Sequence, residues 1–129
     1  MSYSTVTINA AKVTRDYNIS SIATWKLFAE NAFPQSKSRQ DKGCPKNTFL
    51  SLCQQGKVKG IPAGAYTTSI NNQRYALNAL SILHAQPDKN FSASELWKAV
   101  MELEDDRNKA PNGQMEVVLT LWQAGLLNE

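Results

Sequence analysis

These 129 residues hold a single histidine and only two cysteines. His84 has no second imidazole near it, and neither a CxxC nor an HxxxH spacing occurs, so no metal site is expected. The GxxxxGK[ST] loop is missing, as is any glycine fingerprint between a strand and a helix, which excludes a nucleotide site by motif. No apolar run approaches the roughly 20 residues that a membrane-spanning helix requires. The opening Met1-Ser2-Tyr3-Ser4-Thr5 carries neither a basic segment nor an apolar one, so no secretory signal is expected and a cytoplasmic location is inferred. In a reducing cytosol Cys44 and Cys53 are expected as free thiols.

What is present describes an ordinary globular chain. The apolar fraction is 42%, too high for a disordered segment, and the length suits one domain over residues 1–129 with a core of its own. The net charge of +3 is unevenly spread. Residues 36–74 carry seven basic side chains (Lys37, Arg39, Lys42, Lys46, Lys57, Lys59 and Arg74) against one acidic, Asp41, whereas residues 75–129 carry four basic against eight acidic. Such asymmetry points to an acidic partner for the middle of the chain, or to the protein's own acidic end.

Apolar periodicity reads as helices from end to end. Val6, Ala10 and Val13 predict a first helix over about residues 5–15. Ile22, Trp25, Phe28, Ala29 and Ala32 predict a second, capped by Ser20 or Ser21 and ended by Pro34. Gln35 to Gly43 holds no apolar side chain and is expected as an exposed loop. A third helix is expected from Pro45, in the first turn where its missing N–H costs nothing, through Phe49, Leu50, Leu52 and Cys53 to a glycine stop at Gly56. Tyr66, Thr68 and Ile70 alternate, so one short β segment is possible near residues 65–70. A helix capped by Asn71 or Asn72 follows, with Tyr75, Ala76, Ala79, Leu80 and Leu83 inward and His84 at its C-terminal end.

Ser92 and Glu95 form a capping box for the next helix, whose apolar side is Leu96, Trp97, Val100, Met101 and Leu103 and which is expected to fray near Asp105. A last helix, capped at Asn112, buries Met115, Val118, Leu119 and Trp122. Its exit, Leu121-Trp122-Gln123-Ala124-Gly125-Leu126, repeats the exit Leu52-Cys53-Gln54-Gln55-Gly56-Lys57. Both read as the same glycine-ended helix cap rather than as a duplication. The expectation is an all-α domain of five to six helices in a compact orthogonal bundle.

Three motifs carry a resemblance. They are Gly43-Cys44-Pro45-Lys46 with Phe49-Leu50-x-Leu52-Cys53 and Gly56; Val58-Lys59-Gly60-Ile61-Pro62; and Asn112-Gly113-Gln114-Met115 through Val118-Leu119-x-Leu121-Trp122 to Gly125-Leu126. Together they resemble a family of small uncharacterised bacterial proteins of the kind found as mobile integron gene-cassette products. The resemblance implies a compact helical domain and a bacterial accessory role, and it transfers no activity.

The candidate binding residues are Lys37, Arg39, Lys42, Lys46, Lys57, Lys59 and Arg74, for an acidic partner that is either protein or nucleic acid. The bland alternative is a solvated basic face, or one paired with the acidic end. Nucleic-acid binding through a degenerate winged helix would expose Asn47, Thr48 and Ser51 as readers and use Tyr66 or Tyr75 for stacking. Self-association would use the opposed charges, or a tryptophan among Trp25, Trp97 and Trp122 left exposed. A cysteine enzyme would need Cys44 beside a base, and His84 is the one imidazole. No catalytic residue and no cofactor are expected, and the chain is read as a non-catalytic binding module.

Overall fold

The computed structural model describes residues 2–104 and 109–128. Among these the chain forms seven helices: α1 (Tyr3–Tyr17), α2 (Ser21–Ala32), α3 (Lys37–Gln40), α4 (Gly43–Gln54), α5 (Ile70–Ala85), α6 (Ala93–Glu104) and α7 (Gln114–Gln123). Six of them run for ten residues or more and α3 is a single turn, which matches the expected all-α bundle.

Local chemistry sets most of the boundaries. The Ser2 hydroxyl accepts from the Thr5 N–H to start α1, and Asn18, in the left-handed region at φ 54, ends it. The capping box is complete: the Glu95 N–H donates to the Ser92 hydroxyl at 3.1 Å, and the Ser92 N–H donates to the Glu95 carboxylate at 3.0 Å. That backbone donor is the main reason the Glu95 carboxyl is held below its ordinary pKa. Both glycine stops are true caps. The Lys57 N–H returns to the Leu52 carbonyl at 2.9 Å and the Leu126 N–H to the Leu121 carbonyl at 3.0 Å, with Gly56 and Gly125 both at φ 70. The two exits then meet. Val58 and Leu127 pair as an antiparallel bridge, with the Lys59 N–H on the Leu126 carbonyl at 2.8 Å and the Asn128 N–H on the Lys57 carbonyl at 2.7 Å.

Several expectations need correction. No strand forms at residues 65–70, and Ile70 already belongs to α5. The N–H groups of Tyr66 and Thr67 both donate to one side-chain oxygen of Gln54, at 2.7 and 2.9 Å. Successive N–H groups on a strand point to opposite sides, so this convergence is a bend. The Gln35–Gly43 stretch is not a plain loop, because Ser36 caps the single turn α3 through the Arg39 N–H at 3.3 Å. Ser69, rather than Asn71 or Asn72, holds the cap position of α5, and Gly113 rather than Asn112 holds that of α7. Helix α4 starts at Gly43, so Cys44 lies inside its first turn. The expected fraying near Asp105 lies outside the described residues.

The core is aromatic at its centre. The Trp25 ring stacks between Phe49 of α4, at 5.3 Å, and Tyr3 of α1, at 6.4 Å. Tyr75 of α5 meets Trp97 of α6 edge-on at 5.4 Å. Helix α4 packs against α2, α5 and α7 and is buried nearly all round, as a helix enclosed by neighbours must be. Thr48 and Ser51 are therefore inside, not outside. Thr48 tolerates burial because its hydroxyl donates to the Cys44 carbonyl at 2.8 Å.

Candidate functional site

The seven predicted cations do not share one surface. Tyr3, Pro45 and Gly113 pack together, so the N-terminal ends of α1, α4 and α7 lie side by side. Four of the cations gather at that end. Arg39 holds its guanidinium 5.9 Å over the Phe33 ring, and Lys42 holds its ammonium 5.9 Å over the Tyr3 ring. The Tyr3 hydroxyl donates to the Arg39 carbonyl at 2.8 Å and so fixes α3 against α1. Burial raises the Tyr3 pKa and the Arg39 charge opposes this only in part, so the hydroxyl stays a donor at neutral pH. Lys46 stands one turn on, and Lys37 reaches Asp41 at 3.4 Å in an exposed pair of little energetic weight.

Lys57 and Lys59 flank the bridge residue Val58 at the other end of α4. The last eight residues of α4, 47–54, with about 12 Å of rise, lie between Lys46 and this second group. Lys57 borders a shallow depression with Leu77, Leu80, Ser81 and His84. Arg74 is already engaged. Its guanidinium donates to Glu104 at 2.6 Å and to Asn71 at 3.3 Å, and Asn78 donates to the second Glu104 oxygen at 2.7 Å. Pairing with the acidic end therefore holds for Arg74. By contrast, Arg39, Lys42, Lys46, Lys57 and Lys59 have no ion pair among the described residues.

A groove of about 410 Å³ runs between α4 and residues 65–68, bordered by Ile22, Lys46, Asn47, Leu50, Tyr66 and Thr68. Nothing in the local sequence pattern marks it. The periodicity of α2 places Ile22 on the buried face, yet Ile22 is 47% exposed and forms one rim. Tyr3 was missed too, since its role depends on a contact with residues 36 positions away.

The face proposed to read bases is mostly absent from the surface, since Thr48 and Ser51 are buried and Asn47 is bonded to the Thr67 hydroxyl at 3.0 Å. No strand is present among the described residues to serve as a wing. The cysteine chemistry fares similarly. Burial pushes the Cys53 thiol up to about 12, where it is neither ionised nor accessible. Cys44 sits in the first turn of α4, while His84 packs edge-on against Trp122 at 5.0 Å and borders the depression of Lys57, beyond the far end of that helix. The nucleophile and base that such catalysis needs are not brought together. Of the three tryptophans, Trp25 and Trp97 are core and Trp122 is half-buried against the core. No cluster of three or more metal-ligating side chains occurs among the described residues. No helix there is long and apolar enough to cross a membrane.

The model of a family described as a family of unknown function (DUF6979) matches residues 1–128. The chain belongs to this family. No curated protein and no solved structure matches it.

Proposed function

We propose that this member of the family is a non-catalytic interaction module that binds an acidic protein segment through its basic middle. The observation that carries this reading is the set of five cations, Arg39, Lys42, Lys46, Lys57 and Lys59, with no ion pair among the described residues. A solvated cation held over an aromatic ring, as Arg39 and Lys42 are, is restrained at little cost and remains open to a carboxylate. About 12 Å of helix lies between Lys46 and the Lys57–Lys59 pair, so the partner spans more than one contact point. An acidic polypeptide fits this arrangement better than a nucleic acid read by a recognition helix, because Thr48 and Ser51 are buried and Asn47 is bonded to Thr67. Two free thiols agree with a cytoplasmic setting. The bacterial accessory role implied by the cassette resemblance belongs to the same proposal.

The test is fluorescence anisotropy of a labelled glutamate-rich peptide, with random DNA and RNA alongside, at low and high salt. The peptide should bind and weaken as salt rises. Changing Lys57 and Lys59 to Glu should weaken it about tenfold or more while the circular dichroism stays unchanged. Absence of peptide binding at low salt overturns the reading. DNA or RNA bound more tightly than the peptide moves the assignment to phosphate contacts.

A further inference from the structure

We propose that the domain associates head to tail with itself, with Leu103 of one copy seated in the Ile22–Lys46–Tyr66 groove of the next. This rests on the acidic-partner reading above and names a second copy of the chain as one such partner. The groove specifies its occupant. Ile22, Leu50 and Tyr66 supply apolar surface, Lys46 borders it, and no carboxylate among the described residues does. An aliphatic side chain next to a carboxylate fits both features, since the apolar part leaves water and the charge meets its opposite at the rim.

Helix α6 presents that combination. Leu103, expected on the apolar side of this helix, is instead 60% exposed at its last turn, and Glu102 beside it is exposed as well. Glu104 faces inward, bonded by Arg74 at 2.6 Å and Asn78 at 2.7 Å, which fixes the last turn of α6 on α5. The anchor thus lies on a helix tied to α5 and requires less further ordering to bind than a free segment would. Leu103 is exposed within its own copy, so it does not fill its own groove. Groove and anchor lie on different elements, α2, α4 and residues 65–68 on one side and α6 on the other. The contact therefore either closes, as a reciprocal two-fold dimer or a larger ring, or extends into a chain. One anchor in one groove falls well short of the roughly 1,200–2,000 Å² of a stable interface, so the association is weak, with Kd on the order of 0.1–1 mM.

Analytical ultracentrifugation near that concentration, at low and high salt, tests the proposal. Wild type should show concentration-dependent association that falls with salt. Lys46 is half-buried and Leu103 exposed, and neither is part of the core, so circular dichroism should be unchanged in Lys46→Glu and Leu103→Asp, and each variant alone should sediment as a monomer. An equimolar mixture of the two should form a dimer and nothing larger, because Leu103 of the Lys46→Glu chain still fits the groove of the Leu103→Asp chain. A wild type that stays monomeric at about 1 mM, or a mixture that fails to dimerise, overturns the proposal. If wild type binds the glutamate-rich peptide yet stays monomeric, self-association falls alone. If it binds neither, the acidic-partner reading falls with it.

Discussion

Gly56 and Gly125 make a matched pair on which the energetics of the fold can be tested. Each ends a helix at φ 70, and each is followed by an N–H that returns to a leucine carbonyl, at 2.9 and 3.0 Å. A Cβ at position 56 would meet only the Ala63 methyl at 3.5 Å, ordinary van der Waals contact, and one at position 125 would meet nothing within 4 Å. Changing either residue to Ala therefore adds no clash, and the whole cost is that of holding an L residue in the left-handed region, about 1 kcal/mol. For a chain of this length that is a fall in Tm of about 4 °C. Asn tolerates this conformation better, as Asn18 does at φ 54 in this chain, so Gly→Asn at either site should cost about half as much. Urea denaturation of the two Ala and two Asn variants reads all four values. If Gly56→Ala and Gly125→Ala differ by more than about 1 kcal/mol, or if Asn is no better than Ala, the two exits are not equivalent left-handed caps.

Two further outcomes follow from the core. Burial raises the Cys53 thiol from 9.0 to about 12, so the folded state keeps a proton that the unfolded state releases. Its stabilisation is complete below pH 9 and is lost as pH climbs toward 12, by about 2 kcal/mol at pH 10.5. Denaturation curves at pH 8 and 10.5 should show a steeper loss for wild type than for Cys53→Ala, and equal losses would refute the assignment. Phe49 is fully buried against Trp25, so Phe49→Ala should cost about 3–5 kcal/mol in urea denaturation, whereas a loss below about 1 kcal/mol would mean that the stack is peripheral.

How much of this was legible in the sequence depended on the range of the interaction that decided it. The capping box at Ser92 and Glu95 was legible because both partners lie within one turn. The twin glycine exits were legible for the same reason, and so was the all-α class, since apolar spacing at the helical period needs no tertiary knowledge. The five unpaired cations could be named from sequence, but not their division between the two ends of α4, because charge is a property of residues and proximity a property of the fold. The β segment at residues 65–70 was misjudged because Gln54, more than ten residues away, gathers two N–H groups that a strand would have turned apart.

The sequence alone thus determined where the helices lie, how most of them stop, and where positive charge accumulates, all consequences of contacts within about one turn. The tertiary structure decided which helix is enclosed. Surrounded by α2, α5 and α7, helix α4 takes Thr48 and Ser51 inward despite their hydroxyls, while Ile22 of α2 is left at a groove edge. It also decided that Arg74 is bound by Glu104, 30 residues away, while Lys46 stands beside apolar surface with no described carboxylate to meet it. The reason is physical. A side chain's polarity states what burial would cost, and only the packing around it states whether a hydrogen bond, a neighbouring helix or water is there to offset that cost.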